Sequence, residues 1–301
     1  MIDTTVYPKA AAFDKELRSL RDRFIVPQIE SMIRQFGYVY LAFLEKVLYL
    51  AGLSGVSPVD AILEYTMTFL REQVRFQQTE SYSHDSFDDV YDDVYNNSEV
   101  MEGFYLDGLL LTQACWEIHY HIHRFFLDSF LPCCRGKQQG FEIGFGHGLY
   151  LYELLELADV ATVYGRDVSE FSVKYASRLL TQAFSADRFS LAVGDIQQGL
   201  DLPEQSMEFA LLPEVLEHIH RPDRVLATVK RRLKPGSPLY VVTPMNSNAV
   251  DHITNFQSVD EIEGLIVSAG FTIEEKKTFS VRQFQSESND ITETFCAVCT
   301  A

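Results

Sequence analysis

The sequence predicts an α/β fold whose sheet lies in the second half of the chain, preceded by an all-helical region. After Gly136, short apolar runs alternate with helical stretches, and a glycine-rich segment follows the first run. Before that point, apolar residues recur at spacings of three and four. Alternating strands and helices indicate βαβ units and a mostly parallel sheet that is covered on both faces. We therefore divide the chain into a helical region, residues 1–137, and a core domain, residues 138–301.

The composition is that of a globular protein with an acidic surface. The 301 residues are 47% hydrophobic and 23% charged, which excludes a disordered or collagen-like chain. The 43 Asp and Glu residues outnumber the 25 Lys and Arg residues, giving a net charge of −18. A field of that sign repels phosphate, so we expect no nucleic-acid partner. A homodimer is compatible with these features.

The cysteine usage and the apolar segments favour a cytoplasmic protein. Five cysteines, an odd number with no framework spacing, are typical of reduced thiols. The first residues lack the basic and apolar parts of a secretory signal. The most apolar stretch, residues 39–53, is interrupted by Glu45 and Lys46 and is too short to span a membrane. We therefore expect a cytoplasmic location and no membrane span.

Two long helices are predicted in the helical region. The first begins at Pro58, with Ser57 as its N-cap, and runs towards Gln78. The second is predicted over residues 109–130 and ends before Pro132.

A strongly acidic segment lies between these two helices. Residues 80–107 carry nine carboxylates and no Lys or Arg. Because like charges repel in a compact fold, we predict an exposed loop over residues 81–97. Metal binding by the acidic pairs at 88–89 and 92–93 is the alternative to a solvated surface.

Buried strands and intervening helices are predicted along the core domain. The strands are predicted over residues 141–143, 162–166, 190–193, 209–212 and 239–242. The helices between them are predicted over residues 149–157, 170–183 and 222–233. The C-terminal part is predicted to form a helix over residues 258–269 and strands over 271–280 and 294–300. Because no crossover helix separates the last two strands, they are expected to pair antiparallel.

The strongest local signal is the segment EIGFGHG at residues 142–148, between the first strand and a helix. The alternate glycines Gly144, Gly146 and Gly148 let the backbone turn sharply and approach a ligand closely. The helix that follows presents free N–H groups and the positive end of its dipole. The spacing is neither the dinucleotide fingerprint nor the P-loop, so by itself the segment indicates a nucleotide-type ligand or a packing turn.

Acidic residues stand at the ends of the next two predicted strands. Asp167 lies nineteen residues after Gly148, where a carboxylate can accept both hydroxyls of a ribose. Asp195 ends the following strand and can accept an adenine amino group while Ile196 packs on the ring. Because ligands of open α/β sheets bind at the carboxyl ends of the strands, these residues are predicted to share one site with the glycine loop.

Six motifs together resemble the class I S-adenosylmethionine (SAM)-dependent methyltransferases. They are the glycine loop, YGRDVS at 164–169, VGDI at 193–196, PEVLEH at 213–218, LKPG at 233–236 and SAGF at 268–271. The resemblance covers residues 140–300 and implies a Rossmann-like, seven-stranded, mostly parallel sheet with one antiparallel strand near an edge. It also implies SAM as cofactor, lying across the first strands, with the helical region acting as a lid.

Carried onto this sequence, the resemblance implies a cofactor-binding set around the glycine loop. Glu142 and Gly144 would meet the methionine part of SAM, Asp167 the ribose, and Asp195 with Ile196 the adenine. The remaining members of the set are Phe145, Gly146, Gly148, Val168 and Pro213.

The sequence departs from the family's pattern at two bulky loop residues. We expect Phe145 to narrow the pocket around the sulfonium, and His147 to reach either SAM or the substrate. Helices before the first strand commonly cover the SAM pocket in this family. The helical-region residues expected to contact the SAM carboxylate or the acceptor are Tyr95, Tyr105, Gln113 and Trp116.

Catalytic candidates follow the fourth and fifth predicted strands, which face the methyl group in such folds. Methyl transfer mainly needs alignment and exclusion of water, with a base only where the acceptor must lose a proton. The candidates are Glu214, His218 and His252, and the two imidazoles titrate near neutral pH.

The segment PEVLEHIH at residues 213–220 is predicted to begin a helix, which would place Glu214 one turn from Glu217 and His218. Three such side chains can converge on a divalent cation. The cluster is similar to that of the ubiquinone-pathway O-methyltransferases and the small-RNA 2′-O-methyltransferases, where it binds a metal. In metal-free relatives a similar sequence has the histidine bracing the loop, and we favour this structural interpretation over a metal.

Two further pairs have metal-compatible or redox spacing but are predicted to be structural. His119 and His123 share a helix face, yet no third ligand is evident. Cys296 and Cys299 are three apart on a predicted strand, so their side chains are expected to point to opposite faces and pack in the core.

The predicted function is transfer of the SAM methyl group to a small-molecule acceptor by in-line displacement. The size of the helical region favours a substrate pocket beneath a lid. The 22 Phe and 15 Tyr residues are compatible with a natural-product or quinone-like acceptor. Two alternatives stay open: an intramolecular displacement on SAM without methylation, and a non-catalytic SAM-binding subunit whose acidic loop docks a basic partner.

Overall fold

The computed structural model describes residues 2–79, 83–84, 86–247, 249–281 and 292–301. Its strands are β1 Gln139–Ile143, β2 Thr162–Asp167, β3 Phe189–Val193, β4 Ala210–Pro213, β5 Pro238–Met245, β6 Thr272–Val281 and β7 Thr292–Thr300. Within the described residues they form one seven-stranded sheet in the order β3-β2-β1-β4-β5-β7-β6. Strand β7 is antiparallel to both of its neighbours, and the other pairs are parallel. The predicted Rossmann-like sheet with one antiparallel strand near an edge is thus confirmed.

The first part of the chain is helical. Its α-helices are α1 Pro8–Ser19, α2 Ile25–Phe36, α3 Tyr38–Ala51, α4 Pro58–Thr79, α5 Phe87–Val90, α6 Ser98–Val100, α7 Leu106–Cys115, α8 Glu117–Phe125 and α9 Leu131–Cys134. Segments of π-helix lie at Tyr91–Tyr95, Met101–Tyr105 and Phe126–Phe130. Helix α4 begins at the predicted proline, and the hydroxyl of Ser57 accepts a hydrogen bond from the backbone N–H of Asp60 at 3.3 Å.

The helices that follow β1 lie close to their predicted positions. They are α10 Leu149–Leu157, α11 Glu170–Thr181, α12 Pro222–Arg232 and α13 Val259–Ser268. Each agrees with its prediction within two residues at either end. Serines cap two of them, because Ser169 accepts from the Phe171 N–H and Ser258 from the Glu261 N–H. None of the described helices combines the length and the apolar composition that crossing a membrane requires.

Helices cover both faces of the sheet, so every residue of β4 and β5 is buried. One apolar core joins one face of the sheet to the helical region, and a second joins the other face to α12 and α13. Cys296 belongs to the first core and Cys299 to the second, which confirms that they point to opposite faces. All five cysteines are free thiols, and only Cys133 is exposed.

The acidic segment is helical where the structure describes it, so the predicted exposed loop is wrong there. Ser86 caps α5 by accepting a hydrogen bond from the Asp89 N–H at 3.2 Å, and Val90 and Val94 are buried. The exposed carboxylates of the segment are Asp88, Asp89, Asp92, Asp93, Glu99 and Glu102. Outward-facing carboxylates near a helix N-terminus are screened by water and favoured by the dipole. Residues 80–82 and 85 lie outside the described residues.

The predicted helix over residues 109–130 is interrupted at Trp116. There the backbone is extended, with φ −105° and ψ 125°, and this separates α7 from α8. The indole is buried, and its N–H donates to Thr66 Oγ1 at 3.4 Å. The helical path also continues past Pro132, which lies in the first turn of α9, where a proline leaves no N–H unpaired. Burial of a large side chain thus decides the break that periodicity did not predict.

Candidate active site

A cavity lies at the carboxyl ends of the strands, between the sheet and the helical region. Strand β1 has β2 on one side and β4 on the other, so the strand order reverses there, as it does at the ligand sites of open α/β sheets. The core domain lines the cavity with the glycine loop and with residues that follow β2, β3, β4 and β5. Helices α4, α7 and α8 line it from the opposite side. Of the site residues predicted from the sequence, all except Gly148 line this cavity.

The glycine loop adopts the left-handed backbone that favours glycine. Gly144, Gly146 and Gly148 have φ values of 65°, 46° and 75°. A Cβ on Gly144 would lie 2.8 Å from Cγ2 of Val215, and one on Gly148 would lie 2.7 Å from Cβ of Ala176. Gly148 therefore shapes the turn into α10 behind the cavity wall, which differs from its predicted place in contact with the cofactor.

Asp167, at the end of β2, holds the glycine loop in place. Its Oδ2 accepts a hydrogen bond from the Gly146 N–H, and its Oδ1 accepts one from the Ser169 N–H, both at 2.9 Å. Burial raises the pKa of Asp167, and these N–H groups oppose the rise. A carboxylate has about four acceptor positions, so Asp167 retains capacity for the hydroxyls of a ligand.

The end of β3 contributes a second carboxylate and an apolar side chain. Asp195 Oδ1 accepts from the Gln197 N–H at 2.8 Å, which starts the 3₁₀ helix Ile196–Gln198. Ile196 is buried at the cavity wall, and Val168 and Pro213 line the wall after β2 and at the end of β4. The side chains that the sequence assigned to an adenosine moiety therefore lie around one cavity.

The two bulky loop residues have different surroundings. Phe145 is buried, and its ring lies 2.6 Å from the position a Cβ on Gly165 would take, so the ring packs against β2. Phe145 also lines the cavity, so the expected narrowing at the sulfonium stays a prediction. His147 Nδ1 accepts a hydrogen bond from the Leu149 N–H at 3.1 Å, and burial lowers the pKa of His147 to about 3. The ring is thus neutral, with its proton on Nε2.

Three buried acceptor oxygens along the cavity have no hydrogen-bond donor among the described residues. They are Gln113 Oε1, Glu142 Oε2 and Glu217 Oε1. Burial raises the pKa of Glu142 far above its ordinary value, and the nearby Asp167 carboxylate adds to the rise. Because an unpaired buried polar atom costs about 1–3 kcal/mol, these oxygens mark positions where a polar ligand would gain hydrogen bonds.

The segment after β4 does not begin the predicted helix. Glu214 has a φ of 53°, and only the 3₁₀ turn Leu216–His218 follows it. Glu214 is therefore separated from Glu217 and instead faces α8, where its Oε1 lies 3.8 Å from His119 Nε2. Of the predicted metal set, only Glu217 and His218 come together.

A buried polar group forms beside that turn. Glu217 Oε2 accepts from the Thr243 hydroxyl at 2.9 Å, and its Oε1 lies 3.8 Å from His218 Nε2. Burial raises the pKa of Glu217 to about 8. Candidate ligand atoms of Glu217, His218 and His252 lie within 4.8 Å of one another, which is the spacing a metal ion could bridge.

Asp251, which the sequence analysis missed, organises this group. The backbone carbonyl of Asp251 accepts from His218 Nδ1 at 2.7 Å, so a neutral His218 carries its proton on Nδ1. Burial favours neutral His218, but the carboxylates of Asp251, Glu217 and Glu214 together raise its pKa. Burial and the adjacent His218 lower the pKa of His252 to about 4. The only sequence signal was the polar character of the loop after β5.

The helical region is attached to the core through the same aspartate. The hydroxyls of Tyr95 and Tyr105 donate to Asp251 Oδ2 at 3.0 Å and 2.7 Å. The hydroxyl of Ser169 donates to the backbone carbonyl of Tyr95 at 2.6 Å. Two predicted substrate residues thus reach the cavity as part of a hydrogen-bonded bridge between the two regions.

An aromatic wall, made of Tyr65, Phe69, Tyr105 and Trp116, faces the core domain across the cavity. The ring centroids of Tyr65 and Phe69 lie 5.7 Å and 5.1 Å from that of Trp116, and those of Tyr65 and Tyr105 lie 5.4 Å apart. Tyr65 and Phe69 were not singled out from the sequence, because a stripe of aromatic residues on a helix is equally typical of a core.

His119 and His123 have separate partners, in agreement with their predicted structural role. His123 Nε2 lies 2.6 Å from Glu153 Oε2, and both side chains are buried. His119 Nδ1 lies 2.7 Å from the Thr112 hydroxyl, and burial lowers the pKa of His119. The spacing that suggested a shared metal therefore places the two rings in different environments.

Comparison with solved structures identifies the fold as that of class I methyltransferases. The phosphoethanolamine N-methyltransferase 2 of Haemonchus contortus, in complex with S-adenosyl-L-methionine, is 14% identical, with a TM-score of 0.54 over 72% of this chain and 60% of that one. The [4+2]-cyclase SpnF is 15% identical, with a TM-score of 0.51 over 62% of this chain and 81% of that one. At these identities the similarity describes the fold and does not identify a substrate.

A family model described as a methyltransferase domain matches residues 141–241. No curated protein matches the chain. The matched segment runs from β1 into β5 and contains the glycine loop, Asp167, Asp195 and Glu217. Residues 141–241 therefore match a methyltransferase domain, and the fold is that of the class I methyltransferases, which agrees with the resemblance of the six sequence motifs.

Proposed function

We propose that this protein transfers the methyl group of SAM to a small-molecule acceptor held between the core domain and the helical region. The observation that carries the proposal is the set of three unpaired acceptor oxygens, Gln113 Oε1, Glu142 Oε2 and Glu217 Oε1, in one cavity with the glycine loop. SAM carries an ammonium group, ribose hydroxyls and an adenine amino group, which are the donors that these oxygens and nearby carboxylates require.

Each part of the cofactor has a complementary group in the cavity. Glu142 would hold the ammonium, Asp167 the ribose and Asp195 the adenine. His147 Nε2–H and the Gln113 amide are neutral donors that would meet the methionine carboxylate. When bound, SAM supplies a methyl group on a sulfonium, which an acceptor's electron pair takes while the carbon–sulfur bond breaks and leaves its pair on sulfur.

The protein's own contribution is alignment, exclusion of water and, for a protonated acceptor, removal of a proton. His218 has a raised pKa and an Nε2 free of the Asp251 contact, which makes it a stronger base than His252. We therefore assign the two histidines different roles, with the His252 ring packed edge-on against His218 at 5.1 Å to orient it. Glu214 is the other candidate base because no described residue donates a hydrogen bond to its carboxylate.

The helical region would act as the lid of the active site. It reaches the cavity through Tyr95, Tyr105, Gln113 and Trp116, and two of these bond to Asp251. We assign no metal a role, because the Nδ1 atoms of His218 and His252 already face backbone carbonyls and Glu214 lies apart from Glu217. Treatment with EDTA is expected to leave activity unchanged.

Binding of S-adenosylhomocysteine, measured by calorimetry, tests the cofactor site. Asp167→Ala removes the acceptor of the ribose hydroxyls, and since each charge-assisted hydrogen bond contributes about 1.5 kcal/mol, we expect about a 100-fold loss of affinity. The exposed Asp187→Ala is the matched control and should bind like the wild type. Unchanged affinity in a folded Asp167→Ala variant would show that the site lies elsewhere.

The product formed from SAM separates methyl transfer from its alternatives. Release of S-adenosylhomocysteine with a methylated acceptor supports the proposal. Methylthioadenosine would indicate displacement within SAM itself, and tight binding without turnover against a broad acceptor panel would indicate a non-catalytic subunit.

A further inference from the structure

Two acceptor atoms in the cavity face each other with no donor between them. His119 Nε2 and Glu214 Oε1 lie 3.8 Å apart, beyond hydrogen-bond distance. The Thr112 hydroxyl donates to the Leu109 carbonyl at 2.7 Å, so its oxygen can only accept from His119 Nδ1, also at 2.7 Å. The proton of neutral His119 therefore lies on Nδ1, and Nε2 presents a lone pair towards the Glu214 carboxylate.

The charges around the cavity are strongly biased towards acids. Its carboxylates are Glu142, Asp167, Asp195, Glu214, Glu217 and Asp251. The lysine and arginine side chains on its described wall amount to Arg166 alone, and Arg166 is already paired with Asp201 at 2.7 Å and with backbone carbonyls. The one histidine of the lining that is described with a raised pKa, His218, already lies beside Glu217 and Asp251, so this lining favours a cationic acceptor over an anionic one.

Besides the two facing acceptors and the acidic lining, the aromatic wall is a third feature that suits a cation. Tyr65, Phe69 and Trp116 line the cavity together with His119, whose ring centroid lies 5.1 Å from that of Trp116. The negative faces of aromatic rings attract ammonium groups. Aromatic rings beside a carboxylate and an imidazole acceptor suit a ligand that carries an ammonium group on an apolar hydrocarbon group.

Resting on the proposed function, we infer that the methyl acceptor is an amine, bound as its ammonium ion between Glu214 and His119 under the aromatic wall. The ammonium donates one N–H to Glu214 Oε1 and one to His119 Nε2, which fills the gap between the two acceptors. Before transfer the nitrogen gives one proton to the Glu214 carboxylate, and the lone pair so exposed takes the methyl group.

Binding of shape-matched probes in the absence of SAM tests this inference. Phenethylamine and tryptamine are compared with their alcohols, 2-phenylethanol and tryptophol, and with their carboxylates, 3-phenylpropanoate and indole-3-propanoate. We expect each amine to bind at least tenfold more tightly than its alcohol, and the carboxylates to bind more weakly than either. Failure of both amines to outbind their alcohols tenfold, or tighter binding of a carboxylate, would overturn the inference.

A pair of variants tests whether Glu214 is responsible for the preference for amines over alcohols. Glu214→Gln keeps the size of the side chain and removes its charge, so amine affinity should fall at least tenfold while alcohol affinity stays within twofold. Glu16→Gln, exposed on α1 and away from the cavity lining, is the matched control and should retain the wild-type preference. Equal amine affinity in Glu214→Gln and the wild type contradicts the assignment.

The same samples distinguish this inference from the proposed function. S-adenosylhomocysteine binding is measured on each protein alongside the probes. Cofactor binding without amine preference refutes the acceptor class alone, whereas absence of cofactor binding refutes the proposed function.

Discussion

Two histidines one turn apart on α8 each lie near a carboxylate, but only one of them is within hydrogen-bond distance of it. His123 Nε2 lies 2.6 Å from Glu153 Oε2, deep between the helical region and the core. His119 Nε2 lies 3.8 Å from Glu214 Oε1, at the cavity. The first pair is closed by a direct hydrogen bond, and the second is open. The difference shows that the same pairing of residue types forms a buried hydrogen bond where the two atoms meet, and leaves both polar atoms at the cavity where the backbone holds them apart.

Additional contacts complete the closed pair. Lys46 Nζ lies 3.1 Å from Glu153 Oε1, and the ring of Phe43 stacks on His123 with centroids 4.1 Å apart. Burial opposes ionisation of Glu153, but His123 and Lys46 together lower its pKa. His123 and Lys46 belong to the helical region and Glu153 to α10, so the closed pair fastens the two regions to each other.

Breaking the closed pair is expected to give the largest effect on stability. Glu153→Gln removes the buried carboxylate that His123 and Lys46 both contact and leaves Lys46 with the more exposed Glu156 alone, which should lower the free energy of unfolding by about 3 kcal/mol. Urea titration followed by circular dichroism measures it. Glu156→Gln is the matched control, because Glu156 bonds to the same Lys46 from a more exposed position and should cost less than about 1 kcal/mol. Equal losses in the two variants would mean that burial does not distinguish them.

The buried carboxyl of Glu217, beside His218, is expected to make stability depend on pH. The carboxyl of Glu217 has an ordinary pKa of 4.5 and a folded pKa of about 8, so the folded protein retains a proton that the unfolded chain has lost. This contribution is full below pH 4.5 and is lost as the pH rises through 8. Glu217→Gln should therefore gain stability over the wild type between pH 6.5 and 9, by more than about 1.4 kcal/mol.

Unfolding midpoints in urea at pH 6.5, 7.5 and 9 measure this difference. The contribution of His252 to stability changes with pH in the opposite direction. Its folded pKa of about 4 lies below the ordinary value of 6.5, so it costs stability only as the pH falls below 6.5. The chosen range thus excludes His252, and the pH-dependent difference reports Glu217 together with its effect on the neighbouring His218. A constant difference between Glu217→Gln and the wild type across the range would show that this carboxyl does not titrate there.

The smallest effect on stability is expected at the open pair of His119 and Glu214. The Glu214 side chain is 29% exposed, and its distance of 3.8 Å from His119 leaves no hydrogen bond to break. Glu214→Gln should therefore change the unfolding free energy by less than about 0.5 kcal/mol, in the same urea assay. A loss comparable to that of Glu153→Gln would show that the pair is closed in solution, and the contrast between the two histidines would disappear.

The sheet and its ligand-facing ends were predictable because their signals are local. Apolar runs, the glycine loop and acidic residues after strands each occupy a few consecutive positions, and their order carries the topology. Asp167 and Asp195 are examples, since Asp167 ends β2, Asp195 lies two residues after β3, and both line the cavity. Helix α10 was predicted with its observed ends for the same reason.

The errors fall where distant residues decide the conformation. The helix break at Trp116 follows from burial of the indole against α4, and the turn at Glu214 replaces a helix that the spacing favoured. Asp251 gave no signal, because its partners Tyr95 and Tyr105 lie about 150 residues earlier in the chain. Nothing in a sequence window connects such residues.

By itself, the sequence determined the α/β core, the glycine loop and the resemblance to methyltransferases, because turn conformation and strand patterning depend on neighbouring residues. Only the tertiary structure decided which acids stay unpaired, which histidine is closed off and which faces the cavity. Those properties depend on distances of a few ångströms between α8, α10 and the turn after β4. They are fixed when the helical region packs over the carboxyl ends of the strands.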